Sequence, residues 1–130
     1  MTVPIPRILL LEPQFVLRRT IVMVARDLGV VDFHEASSVG RARTLLADET
    51  YSGMVLDLAE KSEMLALLAD LRQGKFATLR DAPVIVLAGD GESDEAEKLQ
   101  ALGVTQVIGK PVRISQLLGA IADVREKGYA

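Results

Sequence analysis

The feature that most constrains the fold is a set of short runs that are apolar at successive positions rather than at alternate ones. The clearest are residues 8–11 and residues 84–88, and residues 54–56 continue the same pattern. A strand has this character when both of its faces are buried, as in parallel sheets that carry helices on each side. These runs therefore predict strands in the interior of a parallel sheet.

Segments with helical spacing follow the strands. The first of them carries its apolar side chains on a single face, made of Leu17, Ile21, Val24 and Leu28. Strand–helix alternation with short links predicts an α/β fold, namely a single doubly wound, five-stranded parallel sheet of (βα)5 form with helices on both faces. The expected strands are residues 7–12, 30–36, 51–56, 83–88 and 104–108, and the expected helices are residues 14–28, 37–48, 64–71, 93–102 and 114–124.

The composition is that of a single folded domain over residues 1–130, with a core at about residues 7–125. Hydrophobic residues make up 49% of the chain and charged residues 25%, which is enough to bury a core. The chain has no cysteine, so disulfides and thiolate metal sites are excluded. It shows no secretory signal and no apolar segment of membrane-spanning length. We therefore expect a cytoplasmic protein without a membrane association.

Charge argues against a nucleic-acid-binding surface, because such surfaces are basic and the net charge of this chain is −3. Arg18, Arg19 and Arg26 share the first predicted helix, and we interpret them as part of a solvated helix face. His34 is the only histidine and falls in the middle of the second predicted strand. We expect it to have a structural or surface role.

Three charged residues lie at the carboxyl ends of predicted strands: Glu12 ends the first, Asp57 follows the third and Lys110 follows the fifth. Right-handed crossovers bring the carboxyl ends of parallel strands to one edge of the sheet, where ligands of open α/β sheets bind. Neighbouring acids raise one another's pKa unless a cation relieves them, and oxygen ligands suit Mg²⁺. A strand-ending acid can also be a solvated or helix-capping residue, so the residues by themselves leave both interpretations open.

Four sequence motifs carry a resemblance that covers residues 7–125. RILLLE, MVLD, PVIVLAG and VIGKP, spaced over five strand–helix repeats, resemble the receiver domain of bacterial two-component response regulators. The resemblance implies that Asp57 accepts a phosphoryl group from a histidine kinase or a phosphotransfer protein, and that Lys110 pairs with Asp57 and with that group. It also implies a Mg²⁺ site formed by Glu12, Asp57 and the backbone carbonyl of Ala59. The peptide bond before Pro111 is expected to be cis.

The resemblance also implies how such a chain acts. A receiver domain is a signalling module in a phosphorelay rather than an enzyme, and it passes its state to a downstream protein partner or to a second copy in a homodimer. If the protein ends at residue 130, the last predicted helix leaves no room for a DNA-binding effector domain; if the chain is a piece of a longer protein, its output is open. We therefore expect partner proteins and no direct contact with nucleic acid.

Several positions depart from the pattern of that family. Pro13 replaces the second acid after the first strand, Ala88 replaces the switch hydroxyl residue, and Val107 replaces the switch aromatic residue. Lys61 stands where the family usually has a proline. Dropping one anionic ligand should weaken a site that holds Mg²⁺ through few carboxylates. The expected Mg²⁺ site is therefore weak or absent, although loop acids such as Glu60, Asp90 and Glu92 lie on the same edge.

These departures leave two further interpretations open. The chain could be a pseudo-receiver that acts as a phosphorylation-independent scaffold for other proteins. It could also be a flavodoxin-like protein that binds a small ligand, but that class needs a phosphate-binding loop rich in Ser, Thr and Gly after the first strand. Residues 12–15 read Glu-Pro-Gln-Phe instead, and the acid would face the phosphate.

Overall fold

The structure is a computed structural model that describes residues 5–89 and 95–126. The strands are β1 (Arg7–Leu11), β2 (Asp32–Ala36), β3 (Gly53–Asp57), β4 (Val84–Ala88) and β5 (Gln106–Gly109), and the helices are α1 (Phe15–Leu28), α2 (Val39–Asp48), α3 (Lys61–Arg72), α4 (Ala96–Ala101) and α5 (Ile114–Glu126). All strands pair in parallel, in the order β2-β1-β3-β4-β5. This order and the alternation of strands and helices confirm the predicted doubly wound (βα)5 fold.

The sheet separates two hydrophobic cores, one on each face. In β1, Leu9 and Leu11 pack into the core that includes α2 and α3, whereas Ile8 and Leu10 pack into the core that includes α1 and α5. Successive side chains of a strand point to opposite faces, so a strand with helices on both sides must be apolar at every position. The same division holds in β3 and β4, which explains the continuous apolar runs in the sequence.

The helix α1 differs from the predicted apolar face. Its fully buried residues are Ile21, Val22 and Ala25, whereas Leu28 is 61% exposed. The face toward the sheet is therefore centred on Ile21 and Ala25, and Leu28 is the last residue of the helix. Gly29 follows it with a φ of 66°, a left-handed conformation that glycine adopts at helix ends without steric cost.

The interpretation of the α1 arginines as a solvated face is wrong for Arg18. This side chain is mostly buried and pairs with Glu35 of β2, where Nε lies 3.1 Å from Oε1. Arg19 contacts the other oxygen of the same carboxylate. The prediction failed because α1 lies beside β2, and that strand is polar enough at its carboxyl end to supply a partner for the two cations.

Helix α2, expected from residue 37, begins at a serine cap. The hydroxyl of Ser38 accepts a hydrogen bond from the backbone N–H of Arg41 at 3.1 Å, which satisfies a donor that the first turn leaves without a helical partner. The expected start of the fourth helix, at residue 93, falls outside the described residues.

Arg72, at the last position of α3, joins three segments of the chain. Its guanidinium donates hydrogen bonds to the carbonyls of Arg80 and Ala82 in the loop before β4, at 2.9 and 2.7 Å. It also donates to the carbonyls of Leu102 and Gly103 after α4, at 2.7 and 3.1 Å. Four backbone acceptors from two loops therefore depend on one side chain.

We predict that Arg72→Lys lowers the free energy of unfolding by about 2 kcal/mol, because a single ammonium cannot satisfy four carbonyls that a planar guanidinium reaches at once. Urea unfolding followed by circular dichroism measures the change. Arg26→Lys, at an exposed position of α1, is the matched control and should change stability by less than about 0.5 kcal/mol. Equal stability of the two variants would show that the Arg72 contacts do not hold the loops.

Candidate functional site

The strand register brings Glu12, Asp57 and Lys110 to one edge of the sheet. Leu11 of β1 lies opposite Leu56 of β3, so Glu12 and Asp57 are neighbours. Glu12 follows Leu10 by two residues, Asp57 follows Val55 by two and Lys110 follows Ile108 by two. Because Leu10, Val55 and Ile108 all belong to the core on the α1 and α5 side, strand alternation aims the three charged side chains toward the same face.

Backbone hydrogen bonds fix the main chain at the carboxyl ends of β1, β3 and β5, where the three charged residues lie. The N–H of Glu12 donates to the carbonyl of Ala36 at 3.0 Å, and the N–H of Lys110 donates to the carbonyl of Ala88 at 2.8 Å. Next to Asp57, the N–H of Leu58 donates to the carbonyl of Leu87 at 3.0 Å. The sheet therefore fixes the backbone from which each charged side chain projects.

The ammonium of Lys110 lies between the two carboxylates. Its Nζ is 2.5 Å from Oδ2 of Asp57 and 2.8 Å from Oε1 of Glu12. Glu12 is 0% exposed and Asp57 3% exposed, whereas the side chain of Lys110 is 23% exposed. The lysine thus closes a buried acid pair from the solvent side, and the cation expected from the sequence to relieve the acids belongs to the protein itself.

The remaining carboxylate oxygens accept backbone hydrogen bonds. Oδ1 of Asp57 accepts from the N–H of Ala59 at 2.7 Å, and Oε2 of Glu12 accepts from the N–H of Gln14 at 2.9 Å. Within the described part of the chain, Oε1 of Glu12 has no hydrogen bond of acceptable geometry, so its contact with Lys110 is an ion pair. Each of the four oxygens nevertheless faces a donor or a cation of the protein.

The environment changes the acidity of Lys110. Burial by itself lowers the pKa of this ammonium, but the contacts with Asp57 and Glu12 act in the opposite direction and raise the pKa above the ordinary value for lysine. Lys110 is therefore charged at neutral pH. The peptide bond between Lys110 and Pro111 is cis, as the resemblance implies.

Arg18 supports the site from α1, and sequence reasoning missed this contact. Its Nη1 donates a hydrogen bond to the backbone carbonyl of Glu12 at 2.9 Å, while its Nε pairs with Glu35. The guanidinium thus links α1, β2 and the end of β1. The signal in the sequence is weak, since Arg18 lies one turn into a helix that carries two other arginines.

The residues present fit a Mg²⁺ site poorly. Within residues 5–89 and 95–126, no group of three or more His, Asp or Glu side chains is arranged to hold a metal ion. Glu60 does not supply the missing acid, because its Oε1 accepts a hydrogen bond from the N–H of Val39 at the start of α2, at 2.9 Å. Asp90 and Glu92, the other acids considered, lie outside the described residues.

The two positions expected to carry a conformational switch hold small apolar side chains. Ala88 is buried in the core on the α2 and α3 side, and Val107 is 47% exposed on the edge strand β5.

Lys61, which stands where the family usually has a proline, takes part in an ion pair. Its Nζ lies 3.1 Å from Oε1 of the buried Glu95, which directly precedes α4. Lys98 approaches the other oxygen of Glu95 at 3.4 Å.

His34 lies away from this edge, in the middle of β2 opposite Leu9. One ring nitrogen, Nδ1, is 3.2 Å from the hydroxyl of Tyr51 and 3.2 Å from a carboxylate oxygen of Glu49. The other, Nε2, is 3.3 Å from Asp32. The side chain joins the outer strand to the segment before β3, which agrees with the expected structural role.

Several solved structures have the same fold over nearly the whole chain. A sensor protein from Polaromonas sp. JS666 superposes with a TM-score of 0.80 at 24% identity, covering 98% of this chain and 100% of that one. A response regulator receiver protein from Pseudomonas putida gives 0.80 at 25% identity over 94% and 99% of the two chains. The signal receiver domain of an HD domain-containing protein from Pseudomonas fluorescens Pf-5 gives 0.81 at 23% identity over 95% and 97%.

No protein-family model matches the chain, and no curated protein matches it either. The likeness is therefore carried by the fold, which is that of response regulator receiver domains. Among the described helices, none is both long and apolar enough to cross a bilayer.

We predict that Lys110→Met lowers the free energy of unfolding by about 3 kcal/mol, because it leaves two buried carboxylates without their shared cation. Urea unfolding at neutral pH measures the loss. Adding Asp57→Asn to Lys110→Met should recover part of the stability, since only one unbalanced charge then remains. The control is Lys75→Met, which removes an exposed ion pair with Asp70 and should cost less than about 1 kcal/mol. Similar losses in the two single variants would contradict the bridging role.

A second prediction concerns Glu95, whose pKa is lowered chiefly by its contact with Lys61. A carboxylate with a depressed pKa in the folded state stabilises the protein above its unfolded pKa, and this contribution disappears as the pH falls through the folded pKa. Glu95→Gln should therefore be less stable than the parent at neutral pH, and the difference should shrink as the pH falls below the ordinary pKa of a glutamate, about 4.3. Thermal unfolding across this range tests it, with the exposed Glu97→Gln as control.

Proposed function

We propose that this chain is the receiver domain of a two-component signalling system and that Asp57 accepts a phosphoryl group from a histidine kinase or a phosphotransfer protein. The observation that supports this most directly is the pairing of Asp57 with Lys110 at the carboxyl edge of the sheet, at 2.5 Å. The pair lies in a fold that superposes on receiver domains over nearly its full length.

The chemistry follows from the two side chains. One carboxylate oxygen of Asp57 would form a bond to phosphorus, while the bond from phosphorus to the donor's nitrogen or oxygen breaks and the leaving group keeps the electron pair. Lys110 is a mobile point charge that can follow the new phosphoryl oxygens. Since Asp57 is 3% exposed beneath it, Lys110 has to move aside before the donor can reach the carboxylate. Glu12 would then be the anchor to which the ammonium returns.

In this role the chain would be a phosphoryl acceptor and not an enzyme that turns over a substrate. Receiver domains of this kind work in the cytoplasm, where we place this chain, and pass their state to a downstream protein. The metal ligands implied by the resemblance are Glu12, Asp57 and the carbonyl of Ala59. Because the described residues fit Mg²⁺ poorly, the proposed transfer relies on Asp57 and Lys110 and not on a bound ion. A homodimer stays a prediction.

The pseudo-receiver is the second candidate, and a specific observation favours it. Neither Ala88 nor Val107 offers a hydroxyl or an aromatic ring that could report a phosphoryl group, and Lys110 covers the buried acceptor carboxylate. In this case the chain would serve as a constitutive protein-binding scaffold. The flavodoxin-like alternative is not favoured, because the N–H of Gln14 after β1 already donates to the carboxylate of Glu12.

The test is incubation with a small acyl phosphate, followed by intact-mass measurement. We expect an adduct of one phosphoryl group in the parent chain and none in Asp57→Asn. Asp48→Asn, at an exposed position near the end of α2, is the matched control and should retain the adduct. A folded parent chain without adduct, with and without Mg²⁺, would exclude the acceptor role and leave the scaffold.

A further inference from the structure

We propose that the ammonium of Lys110 is the resident counter-ion of the Glu12–Asp57 pair and that it excludes divalent cations from the folded chain. The inference concerns the resting protein and does not depend on phosphoryl transfer. It goes beyond a weakened metal site, because it assigns the position between the two carboxylates to a side chain of the protein. It also names the variant in which the metal should return.

Geometry is the first argument. A cation shared by Glu12 and Asp57 has to lie between their facing oxygens, and Nζ of Lys110 is already there, at 2.8 and 2.5 Å from them. The outer oxygens of the two carboxylates are turned to the backbone N–H groups of Gln14 and Ala59. A divalent ion could reach this acid pair only by displacing the ammonium or by breaking those backbone hydrogen bonds.

Burial is the second argument. Mg²⁺ dehydrates reluctantly and usually keeps several water molecules when one or two carboxylates bind it. Glu12 is 0% exposed, and Asp57 is only slightly more accessible. A hydrated ion therefore needs space that the side chain of Lys110 fills, whereas a lysine brings its charge on an alkyl stem that packs against apolar surroundings.

Charge is the third argument. Two carboxylates and one ammonium leave a net charge of −1, so the attraction for a second cation is small unless a further acid joins the site. Pro13 carries no charge, and the carboxylate of Glu60 is committed to the N–H of Val39. Within the described residues, Mg²⁺ therefore has to compete with the ammonium of Lys110 for the two carboxylates. The ammonium is tethered to the chain, so its effective concentration at the carboxylates does not depend on the solution.

The test compares thermal unfolding midpoints in MgCl₂ and in NaCl of equal ionic strength. The parent chain should show the same midpoint in both salts. Lys110→Met, which removes the tethered cation, should show a midpoint that Mg²⁺ raises by roughly 4 °C at tenfold excess over its Kd. Lys75→Met, which loses an exposed ion pair elsewhere, is the matched control and should behave like the parent.

Two results would overturn the proposal. One is a rise of the parent's unfolding midpoint with Mg²⁺ that Asp57→Asn abolishes. The other is a folded Lys110→Met variant whose unfolding midpoint Mg²⁺ does not raise.

If Lys110→Met does not fold, Mn²⁺ added to the ¹⁵N-labelled parent decides the question by NMR. Broadening confined to the amides of Gln14 and Ala59 would contradict the proposal, and unchanged line widths there would support it. No phosphoryl donor is present, so the outcome is separate from that of the acceptor test.

Discussion

Helices cover both faces of the three central strands, and the rest of the structure depends on this double burial. A charged side chain in the middle of β1, β3 or β4 would have no water and no room for a partner. Charge can therefore enter these strands only at their ends, where Asp57 closes β3 and Glu12 follows β1. The charged residues of the candidate site therefore lie at the carboxyl edge of the sheet, outside the buried part of the strands.

Two buried carboxylates at that edge repel each other and lose their hydration. Side chains from distant parts of the chain offset this unfavourable free energy. Lys110 balances the carboxylates, while Arg18 holds the carbonyl of Glu12 and is itself balanced by Glu35. Each charged group has a partner that satisfies it, so the network adds little unpaired charge to a buried region. Such networks are costly when only partly satisfied. Loss of one charged residue should therefore destabilise the protein by more than the loss of one ion pair.

The sequence was enough to predict the alternation of strands and helices, the (βα)5 class and the edge that carries Glu12, Asp57 and Lys110. Burial on two faces leaves a continuous apolar pattern that can be recognised in a short stretch of sequence. The sequence was not enough to predict Arg18 or Arg72. Both look like ordinary helix cations, and their roles depend on carbonyls of loops that come near only after the sheet has formed. The direction of Glu60 toward Val39 was hidden for the same reason.

Strand alternation also places a constraint on chain length that is separate from residue identity. The side chains of Glu12, Asp57 and Lys110 meet because each is an even number of positions from a residue packed on the α1 and α5 side. Inserting or deleting one residue inside β1, β3 or β5 would turn the charge to the opposite face even though every functional residue remained in the chain. A change of one residue in the length of any of these three strands would therefore separate the three charges, whatever residues the chain kept.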